Sequence, residues 1–182
     1  MKNYITTYSK IHFRVDEPKM DDINIQDIAH ALSMITRANG HFPKFYSVAQ
    51  HSLCCALEAV ERNYSANVAM ALLLHDASEA YLCDITRPVK QHLTYYLEKE
   101  SQVQQMIYEK FLEEPLTEKE EQLVKAIDDA MLFNEFKYYM GEELELEHKE
   151  LKTRPIFITK PFDDVEDEFI SMYYKLKSII ES

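Results

Sequence analysis

The sequence predicts an all-α protein. Only two glycines and six prolines punctuate 182 residues, too few for the turns of a many-stranded sandwich or barrel. Apolar residues recur at helical spacing over most of the chain, and hydroxyl or acidic residues stand where those stretches begin. Near the start, Ile11, Phe13 and Val15 alternate with polar neighbours, the pattern of a short N-terminal β element. Ile23, Ile25, Ile28, Ala29, Leu32, Met34 and Ile35 then predict a helix over about 24 to 38, opened by Asp21 and Asp22 and closed near Asn39-Gly40. Ser47 is placed to cap a second helix, in which Val48, His51, Leu53, Cys54, Leu57 and Val60 follow. A third starts at Ser65 or Asn67 and runs through Ala69 to Leu74 into His75; being apolar all round, it belongs at the centre.

Two longer amphipathic stretches, about 92 to 112 and Thr117 to about 140, are separated by Glu114-Pro115, where proline disfavours continued helix. Thr117 and Glu120 have capping-box spacing. The acidic run Glu142 to Glu150 reads as a solvated helix face, and Pro155 to Pro161 as extended chain. A last helix should begin near Asp163 or Asp164 and bury Val165, Phe169, Met172, Tyr173, Leu176 and Ile180. Phe133, Phe136 and Tyr139 are expected in the core or at subunit contacts.

The length suits a single domain over 1-182. With 46% apolar and 29% charged residues the balance is that of a soluble globular chain. The longest apolar stretch, Val68 to Leu74, is far below the roughly 20 residues of a membrane span, and the N-terminal Met-Lys-Asn-Tyr-Ile-Thr-Thr-Tyr lacks the apolar run of a secretory signal. A cytoplasmic location and no membrane partner are the expectation. Cys54, Cys55 and Cys83 are expected to be buried thiols in a reducing compartment. A net charge of -12 opposes binding of a nucleic-acid polymer. A small anion would need local cations or a metal to overcome that field.

The strongest chemical signal is His75-Asp76-Ala-Ser-Glu79, directly after the most apolar helix pattern. An imidazole and a carboxylate side by side at a buried position can both be satisfied by a shared divalent cation. Glu79 lies on the same helical face if the helix continues. His51 from the preceding helix and Asp128 from the 117 to 140 helix would complete a mixed N/O site. Such a site suits Mn, Co, Fe or Zn, whereas Mg prefers more oxygen. Open positions on the metal would polarise a phosphoryl oxygen and acidify water, so hydrolysis is the natural reaction.

The order His51, His75-Asp76, Asp128 on consecutive helices resembles the HD superfamily of metal-dependent phosphohydrolases, helical bundles named for the adjacent pair. The segment from His75 through Asp84, Arg87 and Pro88 to Lys90 resembles its 5'-deoxynucleotidase branch and related phage and bacterial proteins, including phage dATP triphosphohydrolases. Asp27 to Ser33, Phe45 to Ser52, and Pro161-Phe with the last helix resemble the same group. The resemblance implies that His51, His75, Asp76 and Asp128 hold one divalent metal ion. Asp128 is preferred to Asp129 because the matching ligand stands seven residues before a glutamate, here Glu135. Glu79 would orient or activate the attacking water and Asp84 would protonate the leaving oxygen, while Arg37, Lys90 and Arg87 would meet the phosphate. It further implies a nucleotide substrate, giving phosphate from a 5'-monophosphate or triphosphate from a dNTP, and a homo-oligomer. A non-catalytic nucleotide-binding HD domain and an HD phosphodiesterase are the alternatives. In the nucleotidase branch a tryptophan near the sugar follows the matched arginine; here the residue is Ala38. His41, Phe42, Phe45 and Tyr46 are the rings nearest in sequence that could replace it.

Overall fold

A computed structural model describes residues 3–182. Met1 and Lys2, part of the run read for a secretory signal, lie outside the described residues. Two short strands, β1 (Ile5–Thr6) and β2 (His12–Phe13), pair antiparallel with Ile5 opposite Phe13. Helices follow: α1 (Ile25–Met34), α2 (Val48–Glu61), α3 (Ala66–Leu74), α4 (Glu79–Leu82), α5 (Arg87–Lys90), α6 (Thr94–Phe111), α7 (Glu118–Met140) and α8 (Phe162–Ile180). The all-α expectation holds. Among the described residues no helix is long and apolar enough to cross a membrane.

The caps fall where local chemistry puts them. Ser47 accepts from the Gln50 amide and Gln50 returns the contact to the Ser47 amide, a full capping box; Thr117 and Glu120 repeat it at α7, and Ser65 caps α3. Helix α3 is the central element: every residue from Val68 to Leu74 is buried. It packs against α2, α7 and α8, with α8 also lying on α1. Val165, Phe169, Tyr173 and Leu176 form the buried stripe of α8, with Met172 and Ile180 only partly covered. Full burial of such side chains contributes about 1.5–3 kcal/mol each.

Three expectations need correction. Helix α1 stops at Met34 because Ile35 turns extended, and its carbonyl accepts from Val48 N, while Arg37 N donates to Tyr46 O and Thr36 bridges Ser47. This long-range pairing outcompetes local helix propensity. Residues Arg37–Gly40 form a 3-10 turn with Ala38 (φ 51) and Asn39 (φ 50) left-handed. The acidic run 142 to 150 is not helical: Gly141, at φ 66, ends α7 in the left-handed conformation that glycine adopts without steric cost. The cysteines are not uniformly buried, since only Cys55 is; Cys54 is half-buried and Cys83 exposed. Segment 155–161 carries no regular element, yet is held down by Gln50 Nε2 donating to Ile158 O and by buried Phe157.

Candidate metal centre

Helix α2 brings His51 in on its first turn, fully buried, with its entry angle fixed by the Ser47–Gln50 box. The apolar helix α3 delivers His75 at its C-terminal end and Asp76 just beyond. The chain then passes through tight turns, Ala77 N to Leu74 O and Glu79 N to Asp76 O, into α4, which keeps Glu79 inward and only 3% exposed. Helix α7, which packs on both α2 and α3, supplies Asp128.

These elements converge. His51 Nε2 lies 3.2 Å from His75 Nε2, 3.2 Å from Asp128 Oδ1 and 4.0 Å from Asp76 Oδ2. His75 Nε2 lies 3.4 Å from Asp76 Oδ2 and 3.8 Å from Asp128 Oδ1. The outer nitrogens fix the tautomers. His75 Nδ1 is 2.7 Å from Leu72 O, which can only accept, and His51 Nδ1 is 2.7 Å from the carboxylate Glu135 Oε1. Each Nδ1 therefore carries a proton, and each Nε2 lies beside the other ring and two carboxylate oxygens; without a proton of its own it would present a lone pair to a cation. Two imidazole nitrogens 3.2 Å apart with carboxylate oxygens 3.2–4.0 Å from them are donors of the kind a divalent cation takes.

The electrostatics agree. Burial works against an ionised Asp128, but hydrogen bonds from His51 and His75 hold its carboxyl well below the usual range. For Asp76, burial is likewise opposed and overcome by His75, Arg37 and His51. His75 is raised: burial disfavours its cation, and Asp76 and Asp128 prevail. Asp129, the rival of Asp128, faces Lys125 and Arg87 instead.

One donor was missed as such by the sequence reading. Cys55, one helical turn after His51, places Sγ 3.6 Å from His51 Nε2, and the His51, Cys55 and His75 donors lie within 4.8 Å of one another. Burial pushes its thiol up to about 12, so it faces the cluster protonated. Its i, i+4 spacing from His51 was the available signal.

The remaining site residues surround this knot. Burial, reinforced by Asp76 and Asp84, pushes the Glu79 carboxyl well above the carboxylate range despite Arg37 and Lys90. Its Oε2 is buried without a protein partner and its Oε1 is 3.8 Å from Lys90 Nζ. Asp84 is half-buried and raised, by burial first, with Arg37 opposing and Asp76 adding. The two carboxyls thus differ in exposure and partners, the condition for dividing acid and base work. Cys83, just before Asp84, is strained at φ 74, ψ 150, and its carbonyl accepts from Tyr96 Oη at 2.6 Å.

The cations already have acidic partners. Arg37 is 9% exposed, with Nη1 3.2 Å from Asp76 Oδ2 and Nη2 3.5 Å from Glu135 Oε2. Lys90 pairs with Glu100 at 2.6 Å. Arg87 spans Asp128 Oδ2 at 2.9 Å and Asp129 Oδ1 at 3.0 Å, so its charge competes with a cation for a candidate ligand. Of the rings near Ala38, Phe42 and Tyr46 are buried in an aromatic cluster with Tyr139, whereas His41 and Phe45 are exposed.

Comparison with known proteins points the same way. The chain is similar to the uncharacterized protein YfdR of Escherichia coli (strain K12), 42% identical over 109 residues, covering 60% of this chain and 58% of that protein. It is also similar to an uncharacterized protein of Rhodobacter capsulatus, 41% identical over 78 residues, 41% of this chain and 40% of the relative. The matched part thus spans less than two thirds of either relative. A family profile for the HD domain matches residues 36–169, which hold every side chain of the centre described above. The chain therefore belongs to the HD-domain superfamily of metal-dependent phosphohydrolases.

Proposed function

We propose that this protein is a hydrolase of (deoxy)nucleotide phosphate esters, releasing phosphate from a 5'-monophosphate or triphosphate from a dNTP. The observation that carries the reading is the pair of imidazole Nε2 atoms 3.2 Å apart, with Asp128 and Asp76 beside them and the buried Glu79 adjoining. His51, His75, Asp76 and Asp128 would hold a divalent ion, with Mn, Co, Fe or Zn better matched than Mg to a donor set half nitrogen. When bound, such an ion supplies Lewis acidity toward a phosphoryl oxygen and makes water more acidic.

The chain's own residues would do the rest. Burial raises the proton affinity of Glu79; a divalent cation nearby would oppose this, and the ionised carboxylate, with an oxygen free of protein partners, would take the proton from the attacking water. Asp84, more open and raised in proton affinity, gives a proton to the leaving oxygen. Lys90 and Arg37 offset charge that spreads over the phosphoryl oxygens. A phosphate entering a chain of net charge -12 displaces acidic partners from these cations, so the metal is what makes the pocket attractive to an anion.

The purified protein with Mn²⁺ or Co²⁺ should hydrolyse at least one member of a panel of nucleoside mono- and triphosphates, the ratio of phosphate to triphosphate release fixing the position of cleavage. Glu79→Gln should lower turnover by about 10²–10⁴-fold with metal content unchanged. No release from any nucleotide, or full activity in that variant, contradicts the proposal.

A further inference from the structure

We infer that Glu135 is a positioning residue that locks His51 in its metal-binding tautomer and ties that imidazole to the arginine of the phosphate subsite. The metal and phosphate subsites are then mechanically one unit.

Glu135 stands seven residues after Asp128 on α7, two helical turns along the same face. It is fully buried, as is His51. Its two oxygens are divided: Oε1 accepts from His51 Nδ1 at 2.7 Å, and Oε2 faces Arg37 Nη2 at 3.5 Å with no closer partner. The other end of the guanidinium donates to Asp76 Oδ2 at 3.2 Å. Arg37 is therefore suspended between a carboxylate of the donor cluster and the carboxylate that orients its first imidazole. Tyr46, Tyr139 and Phe42 wall the region, with Phe42 stacked on Tyr139, so little water reaches Glu135 to take over its role.

The chemistry requires a carboxylate here. An ionised carboxylate only accepts, which forces the proton onto His51 Nδ1 and leaves Nε2 bare toward the metal. An amide of the same shape can turn its NH₂ to Nδ1, favouring the opposite tautomer and blocking Nε2. It also surrenders the charge that holds one arm of Arg37, leaving the guanidinium to settle on Asp76 and compete for a metal-binding oxygen. A residue that served only to fill space would have neither effect.

The half of this inference that concerns phosphate rests on the phosphohydrolase reading; the half that concerns His51 does not. Mn²⁺ affinity of the wild-type protein, Glu135→Gln and Arg37→Lys would be measured by calorimetry, together with binding of inorganic phosphate to the Mn²⁺-loaded proteins. Glu135→Gln should weaken Mn²⁺ by about 10–100-fold. Both single variants should weaken phosphate, and the double variant should lose less than the two separate losses combined, because Glu135 acts on phosphate through Arg37. Imidazole nitrogen NMR of the wild type should show His51 protonated at Nδ1, a readout that stands if the buried substitution fails to fold. Wild-type His51 bare at Nδ1, or Mn²⁺ affinity unchanged in a folded Glu135→Gln, overturns the inference. Mn²⁺ loss with the expected tautomer supports it even if no nucleotide is hydrolysed, so the two readings fail separately.

Discussion

Replacing Glu58 should cost more stability than any surface change. This α2 carboxylate is fully buried and gathers four donors: Arg62 Nε at 2.6 Å, Lys152 N and Thr153 N at 2.8 Å, and Thr153 Oγ1 at 2.5 Å. It pins the start of the irregular return segment to the helix that carries His51. Counting four charge-assisted bonds at about 1.5–3 kcal/mol each would overstate the loss, because Lys152 is exposed and Thr153 half-exposed, and water can replace some donors. The cost of removing one partner from a buried pair, about 3–5 kcal/mol, is the better figure for Glu58→Ala. At about 2–4 °C per kcal/mol for a chain of this size, the melting point should fall by roughly 6–20 °C.

Acid should reveal the same clamp. Burial alone would raise the Glu58 carboxyl, but the bonds from Thr153, Lys152 and Arg62 hold it below its ordinary value. A lowered folded-state pKa means the stabilisation is complete above the unfolded pKa, about 4.3, and is lost as pH falls through the folded value. Urea unfolding at neutral and acid pH should therefore show wild type losing stability below that point more steeply than Glu58→Gln. A Glu58→Ala loss under about 1 kcal/mol, within reach of an ordinary substitution, or equal acid slopes, would refute the reasoning.

Other perturbations separate the parts of the site. His75→Ala and Asp128→Ala should each weaken Mn²⁺ by more than the roughly 10–100-fold that indirect partners cost, as read by calorimetric titration; binding near wild-type strength would exclude them as ligands. Arg87→Ala removes a half-exposed cation from Asp128 and should tighten Mn²⁺ binding while changing stability by no more than about 1 kcal/mol; weaker metal binding would instead make Arg87 a support for the ligand. Toward a thiol reagent, exposed Cys83 should react first. Cys54, raised by burial, and Cys55, pushed up to about 12, should react only on unfolding, so Cys83→Ser should abolish the fast phase.

Elements governed by neighbours along the chain were legible in the sequence. Ser47, Ser65 and Thr117 mark their helix starts because a cap needs only residues within the next turn. The grouping of His51, His75, Asp76 and Asp128 came from the resemblance to the HD family, since an adjacent His and Asp after an apolar helix does not by itself imply a metal; the structure brings the four side chains near one another. Contacts that close over long sequence separations were not legible. Arg37 leaves the helix pattern because residues near Ser47 pair with its backbone, and Glu135 meets His51 across 84 positions, visible only once α7 lies on α2. Sequence marked Glu135 as a register point and gave no sign of its bond. Arg87 likewise reads as a free cation on a loop until Asp128 and Asp129 stand opposite it.

The corner at Cys83 ties durability to chemistry. A side chain held at φ 74, ψ 150 occupies backbone territory that suits glycine and stores about 1–3 kcal/mol, and Tyr96 keeps the peptide there by its bond to the carbonyl. Glycine at this position would relax the turn and make the folded chain longer-lived, but it would also let the following carboxylate wander. Selection for endurance and selection for turnover therefore pull this residue in opposite directions.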